Sequence, residues 1–494
     1  MLKPRNLLNA LEDACLLLMA ACIPLDWRWA SYAMIALCVL AVCRLCVNRL
    51  PADRRERRRL CGTSLLFASF FLVYLLSVCW SDDKAEAWRM VDKKLPFLLF
   101  PLWMLFSRPE ISGRRLYRIL SVFTWSTLAV FAANFAYAAW DVFACGSDTR
   151  RFFSDGLMKI HYVHHSYMAM YACLGLAFSL FAALDEKRRG RRGLHLLAVG
   201  ALAVFVLLLE SRAGLLTMLL IVFFFWCRLV FLQKRKRLGI ASGAAVLLAI
   251  ALAWICAPSA IGRLTQTLRS LSSETEPDCR VVQTDAYRPM LRKCGLFGYG
   301  CGDRLDIISE GFASAAEQLL EEVRPAGEAR RQCLDSLSRR MYFYNVSDNR
   351  ETVDSLAAAF GCEPASVQQV AYRYLVLRNA LDDNYNAHNQ YYDTLMAAGW
   401  VGLAVLLLYF LLPLREMYRR RACDPLMLYF LFIVAFNALF ESIFERQLGV
   451  LFFLFFFLLF YRKNFSNHVY PSDFRAGEDA APQTEPVCRR LEKS

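Results

Sequence analysis

LLAVGALAVFVLLLESRAGLLTMLLIVFFFWCRLVFL, residues 196–232, holds two apolar runs around a short polar hinge, Glu210-Ser211-Arg212. Each run is almost free of charge. A hydrocarbon core roughly 30 Å thick needs about 20 apolar residues of helix. Neither run alternates with period two, so both read as helical spans and not as barrel strands. Working outward from this pair, hydropathy marks segments near 7–24, 29–46, 61–80, 94–107, 117–140, 165–184, 194–210, 213–232, 239–257, 396–414, 425–440 and 448–462. The expected fold is an all-α polytopic membrane protein of about 12 transmembrane helices. The fourth segment is short and carries Pro96 and Pro101, which suits a kinked, tilted or partly re-entrant helix. Composition agrees, with 57% of the 494 residues hydrophobic and a mean hydropathy of +0.33. No cleavable signal peptide is evident, because the first segment carries Glu12 and Asp13 and runs into an ordinary polytopic pattern.

The rhythm breaks once. Between 258 and 394 the apolar runs stop for a long polar excursion, large enough to fold. Its early part, 259–303, is rich in arginine and in turn residues, with Gly295, Gly298, Gly300 and Gly302 marking tight backbone. Its middle, 307–340 and 353–379, shows apolar residues at helical spacing among charges. The expected organisation is a bundle of about nine helices over 1–257. A mostly helical cap follows over 258–395, about three helices over 396–462, and a polar, poorly ordered tail over 463–494.

Net charge is +14, but its distribution does not ask for nucleic acid. Arginine and lysine concentrate in alternate loops, at 44–59, 108–118, 187–192, 234–237 and 415–421. With both termini in the cytoplasm, every one of these loops is cytoplasmic, as the positive-inside rule requires. The same orientation puts the long segment outside, with the loops near 81–93, 141–164, 210–213 and 441–447. Most of the 18 cysteines lie inside spans, where they act as small apolar residues. Cys145, Cys279, Cys294, Cys301, Cys333 and Cys362 fall outside, where disulfides are permitted. Their spacing matches no zinc motif and leaves the connectivity open.

Cations gather on the external side. Arg212 sits in the hinge between two spans, where a charge must reach water, pair with Glu210 or bind an anion. Arg280 lies in Pro277-Asp278-Cys279-Arg280, with Arg263, Arg269, Arg288 and Arg292 in the same stretch. Loop arginines are usually solvated, but this patch beside a membrane suits phosphate or pyrophosphate, whose oxygens a guanidinium grips bidentately. His388, one of six histidines, opens His388-Asn389-Gln390-Tyr391 at the water–lipid boundary. It could accept the proton of an attacking hydroxyl; the plainer reading is a helix-start histidine bonded to a carbonyl. His161, His164 and His165 form a second external cluster. No cysteine or carboxylate completes a familiar metal spacing there, so no metal is expected and His165 reads as a wall of the cleft. Asp82-Asp83 and Asp382-Asp383 could hold a divalent ion, but acidic pairs in loops are common. Glu441, Glu445 and Arg446 stand between the last two spans, where the acids can pair with the basic patch.

In order, these residues resemble the O-antigen ligase/polymerase superfamily. The resemblance rests on His388-Asn389-x-Tyr391-x-x-x-Leu395-x-x-x-Gly399-x-x-Gly402 at the end of the long segment. Ser211-Arg212-Ala213-Gly214 between two spans, and Arg280 upstream of Leu296-Phe297-Gly298-Tyr299-Gly300, join it. It covers roughly residues 195–450. It departs from the family at Thr284, where a tryptophan often stands, and in the length of 303–383. The resemblance implies an inverting glycosyltransferase of the bacterial inner membrane, with a periplasmic cap. Such an enzyme moves a glycan from undecaprenyl pyrophosphate to an acceptor hydroxyl, most readily on the lipid A core. Arg212, Arg280 and Arg288 would hold the pyrophosphate, and His388 with Arg280 would carry the catalysis. Asn389, Tyr391 and His165 would support the site, and no cofactor is implied. A polysaccharide polymerase or a protein O-oligosaccharyltransferase would differ in the acceptor. A lipid-linked sugar transporter or flippase is the rival of another class. It should show charges near the midplane and repeated halves, and the sequence has neither, nor a phosphate-binding loop of the ATPase type.

Overall fold

The computed structural model describes residues 4–47, 54–161, 163–232, 277–324, 327–421 and 423–465. All regular elements among them are helical. Eight helices are long and apolar enough to cross a membrane, and Cys61–Ser77 and Pro425–Asn437 are shorter apolar helices. The ninth expected span, 239–257, lies outside the described residues, as do Arg263, Arg269 and most of the tail.

The first half comprises α1 (Pro4–Leu25), α2 (Trp27–Val47), α3 (Arg54–Ser77), α4 (Lys84–Lys94), α5 (Pro96–Ser107), α6 (Gly113–Cys145) and the one-turn α7 (Ser154–Leu157). It continues with α8 (His165–Asp185), α9 (Arg189–Leu208) and α10 (Arg212–Cys227). The cap comprises α11 (Cys279–Lys293), α12 (Arg304–Glu322), α13 (Glu328–Arg340), α14 (Arg350–Ala359) and α15 (Pro364–Asp382). The chain closes with α16 (Gln390–Arg420), α17 (Pro425–Asn437) and α18 (Gln447–Phe465). Helices α8 and α18 are the most enclosed, with 89% and 78% of their apolar windows buried. Phe452, Phe453, Phe456 and Phe457 of α18 are fully buried, and Phe456 packs edge-on against Phe123 of α6. Outer helices instead leave Ile35, Val39, Leu65, Leu197 and Phe223 exposed. Apolar side chains spread over so much surface mark a lipid-facing belt, not a water-facing one.

The segment near 94–107, expected to be short and kinked, tilted or partly re-entrant, corresponds to α5. A break at Leu95 separates α4 from α5, where Pro96 opens a new helix. At 12 residues, α5 is about 18 Å long, short of a hydrocarbon core. The early part of the excursion, read as turns, instead contains α11. Asp278 caps it by accepting from the Arg280 amide, a side-chain role that satisfies an otherwise orphaned helix-end N–H. The cap has an apolar core of its own, including Tyr287, Phe312, Leu320, Leu337, Val367 and Leu375.

Two glycine-bearing segments join cap to bundle. Helix α16 is interrupted at Gly399, whose φ is 64° and ψ −162°. The turn Leu296-Phe297-Gly298 seats in that break. The Tyr299 amide donates to the Met396 carbonyl at 2.8 Å, and the Val401 amide donates to the Leu296 carbonyl at 3.0 Å. A Cβ on Gly399 would collide with the backbone of Leu296 and Gly298, and a Cβ on Gly298 with that of Gly399 and Ala398. Both glycines also hold positive φ, 73° at Gly298, which other residues adopt only with strain. Farther along, Asp303 accepts from the amides of Asp82 and Asp83 at 2.8–2.9 Å, and Asp83 caps α4 through the Glu86 amide. The Asp82-Asp83 pair therefore serves as a structural joint.

Gly399→Ala and Gly298→Ala should each cost more than about 1 kcal/mol of stability, read as a lower melting temperature in detergent. Gly295→Ala, with open space around its Cα, should melt like the wild type.

Candidate functional site

Helix α10 begins at Arg212, just past the hinge. Glu210 takes a left-handed φ of 49°, and Ser211 caps the helix by accepting from the Gly214 amide. This geometry projects Arg212 from a helix start, where its guanidinium pairs with Asp278. Asp278 uses its other oxygen on the Arg280 amide, 2.9 Å away. One carboxylate thus ties the start of α10 to the start of α11. Arg280 then reaches across to the loop between α17 and α18. Its Nη1 donates to the Phe440 carbonyl at 2.6 Å and its Nη2 to Glu441 Oε1 at 3.0 Å. The second oxygen of Glu441 stands 3.8 Å from His388 Nδ1, an ion-pair distance and not a hydrogen bond. Nδ1 is buried and has no hydrogen-bond partner.

Arg212, Arg280 and His388, far apart in the chain, are therefore linked through Asp278 and Glu441. Burial pushes the Glu441 carboxyl up, but His388 and the Arg280 guanidinium outweigh it and hold the group down at about 2. Glu441 is thus an anion at neutral pH. The two arginine side chains are 44% and 39% exposed, so each offers a water-facing side to a further anion.

His388 is itself held tightly. Its φ is 46°, an uncommon conformation for a side chain with a Cβ, and a local cost that surrounding contacts must enforce. Asn386 accepts from the His388 amide at 2.9 Å. Tyr287, buried in α11, donates to the Ala387 carbonyl at 2.9 Å. Asn389 caps α16 by accepting from the Tyr391 and Tyr392 amides and donates to the Leu439 carbonyl at 3.2 Å. Tyr391 donates to the Ala435 carbonyl at 2.9 Å. Asn389 and Tyr391 thus anchor the start of α16 to the α17 end. Tyr385 presents its ring perpendicular to the imidazole at 5.3 Å. Sequence reading missed Asp278, Tyr287, Asn386 and Gln390; of these only Asp278, a capping residue type before a helix, carried a local signal.

A second, almost fully buried group uses the same loop. Glu445 receives Lys94 at 2.9 Å and Arg304 at 2.5 Å, and Asp393 lies 3.4 Å from Arg304. Lys94 also donates to the Phe444 carbonyl. Two acidic and two basic side chains meet here, all nearly excluded from solvent.

Arg288 stands apart. It is exposed and pairs with Asp285 at 2.6 Å, outside the Asp278–Glu441 linkage. His165 bonds Asp155 at 2.8 Å, and its ring lies 4.2 Å from that of His164, tilted by 32°. Burial, reinforced by His165, lowers His164 to about 4, while Glu441 pulls the other way, so the pair borders the site and His164 is neutral at pH 7. Asp155, His164 and His165 place their donor atoms within 4.8 Å of one another and could hold a metal ion. The carboxylate that the sequence spacing lacked comes from the turn around α7. His161 instead contacts Asn134 of α6 at 2.8 Å. No protein-family model matches this chain, and a search of curated proteins finds no match either.

The Glu441 ion cluster should show in acid. A carboxylate lowered in the fold contributes stability above its ordinary value of 4.5, and loses it as pH falls toward about 2. The gap in melting temperature between wild type and Glu441→Gln should be constant above pH 5 and narrow below it. A gap that persists unchanged into acid would contradict the ion pair.

Proposed function

We propose that this chain is a membrane glycosyltransferase of the O-antigen ligase/polymerase kind. On this reading it takes a glycan from undecaprenyl pyrophosphate and transfers it to an acceptor hydroxyl, most readily on the lipid A core. The observation that carries the reading is the meeting of Arg212, Arg280 and His388 around Asp278 and Glu441. The arrangement supplies what such a transfer needs: fixed cations for a leaving diphosphate and a base beside them.

The proposed topology has about 12 spans in the bacterial inner membrane, with both termini cytoplasmic and the cap periplasmic. The prenyl tail lies between helices, and the diphosphate reaches the exposed sides of Arg212 and Arg280. Negative charge grows on the diphosphate as the glycosidic bond breaks. Guanidinium groups already fixed in place stabilise it without reorganising. His388 removes the proton of the acceptor hydroxyl as it attacks the anomeric carbon, which inverts the configuration. Glu441 has a role in both halves. As an anion beside Nδ1 it favours a proton on that nitrogen, leaving Nε2 free to act as base. A diphosphate that draws Arg280 away releases Glu441 toward His388, so donor binding prepares the base.

His388→Ala should lose roughly 10²–10⁴-fold in transfer, and Arg280→Ala should abolish it, both with normal membrane insertion. Arg280→Lys should remain poor, because a point charge cannot replace the planar fork. Wild-type transfer by His388→Ala would remove the imidazole from the reaction. Exhaustive treatment with EDTA should leave activity intact; a loss restored by magnesium or manganese would overturn the metal-free scheme. Deletion of the gene, with analysis of surface glycans, separates the acceptors. Long chains left on the lipid carrier indicate ligation, single repeat units on lipid A indicate polymerisation, and glycan lost from proteins indicates oligosaccharyl transfer.

A further inference from the structure

The cap buries two cysteines that the site does not use. Cys333, in α13, is 0% exposed, and Cys362, between α14 and α15, is 5% exposed. Both belong to the apolar core of the cap, and their thiols interact with each other. The Cys362 amide donates to the Ala357 carbonyl at 2.8 Å, which fixes its backbone against α14. Helix α13 packs on both α14 and α15. Cys294, Cys301 and Cys145 are placed otherwise. Cys294 bonds the Met290 carbonyl of its own helix at 3.5 Å. Cys301 lies near the Tyr74 and Ala87 carbonyls on the bundle side. Cys145 is exposed at the end of α6.

We propose that Cys333 and Cys362 are joined by a disulfide in the mature protein, formed on the outer side of the membrane. The inference rests on the outward placement of the cap proposed above. Two thiols side by side in an oxidising compartment are the situation in which disulfides form and persist. The oxidant is the disulfide of a thiol–disulfide oxidoreductase. Its S–S bond breaks through a mixed disulfide, the new S–S bond forms between the two cap sulfurs, and two electrons and two protons leave on the enzyme as its dithiol.

Timing follows from burial. The attacking species is the thiolate, and burial, with Cys362 adding to it, pushes the Cys333 thiol up to about 12. In the closed cap both cysteines are buried away from any oxidoreductase, so the bond forms while the cap is still open. Once the core closes, the same burial shields the bond from reductants. The link fixes the chain two residues before Pro364 opens α15. That helix leads directly to Asn386 and His388, so the disulfide braces the element that delivers the imidazole.

The test uses the full-length protein in its own membranes. Thiols are blocked with N-ethylmaleimide at lysis, and the protein is denatured, digested without reductant and analysed by mass spectrometry. The expected result is one cross-linked pair of peptides carrying Cys333 and Cys362, lighter by two hydrogens than the free pair and separated by reductant. In Cys333→Ser, Cys362 should be alkylated instead. A membrane-impermeant maleimide applied to intact spheroplasts reports the side, because exposed Cys145 lies on the cap's side of the proposed topology. Cys145 labelled from outside with both Cys333 and Cys362 alkylated overturns the disulfide and leaves the topology standing. Cys145 protected from outside overturns the topology, and the disulfide with it.

Discussion

Everything at the candidate site depends on two carboxylates four residues apart in the short loop before α18. Glu441 takes Arg280 and faces His388, while Glu445 takes Lys94 and Arg304. Arg280 and Arg304 belong to the cap, Lys94 to α4 beside the bundle. One loop thus clamps the cap to the bundle, with ion pairs at its centre. Ions removed from water cost several kcal/mol each unless paired and hydrogen-bonded. Lys94, Arg304, Asp393 and Glu445 are all nearly inaccessible, so removing any one would strand its opposite. A pair of this kind adds little net stability over an apolar core, but it admits very few arrangements of the elements that carry it. The clamp therefore fixes geometry more than it adds stability, and the same loop presents Glu441 to the site.

Uncharged contacts refine the placement. Gln390, fully buried, donates its amide to the Ala438 carbonyl at 2.8 Å and accepts from the Phe444 amide at 2.6 Å. These bonds fasten the start of α16 to both ends of the acidic loop. His388 is two residues earlier, pinned from the cap side by Tyr287 through the Ala387 carbonyl. The imidazole thus sits at a seam between two rigid bodies of side chains. Its positive φ becomes tolerable because both sides enforce it. The Gly298–Gly399 contact brings the backbone of the cap against the break in α16 on the same seam.

How much of this could be read from residues alone varies with the range of the interaction. Spanning helices were legible because a bilayer imposes length and apolarity on every segment independently. Cap helices showed in their periodicity, but α11 did not, because its exposed arginines resemble a loop until Asp278 is recognised as its cap. Arg280 and Arg288 looked equivalent by position in the chain. Eight residues on a helix separate them by about 80° of rotation, which turns Arg288 to solvent with Asp285. Glu441 was visible only as an acid near cations, and Asp155 gave no hint that it would meet His164 and His165. Pairings across hundreds of residues leave no local trace, and those pairings build the site.

The electrostatics of the seam bear on why such a site carries acids at all. Two unpaired guanidinium groups at a low-dielectric boundary would attract any anion, and would repel each other and a protonated imidazole. Asp278 and Glu441 neutralise them in the resting protein, which leaves each arginine with one occupied face and one exposed face. A singly charged anion gains little by approaching such a neutralised pair. A diphosphate, carrying more charge in a compact group with several acceptor oxygens, can engage both arginines at once from their exposed sides. On the proposed function, the carboxylates then act as a threshold on charge and geometry, at the cost of weaker binding for any single phosphate. On the proposed reading that selectivity suits a carrier lipid whose headgroup is a diphosphate before transfer, whereas phospholipid headgroups with a single phosphate crowd the same leaflet. The Glu441 carboxylate, once relieved of Arg280, is already positioned beside the buried Nδ1 of His388. On the proposed function, the interaction that screens the ligand is therefore the one that orients the base.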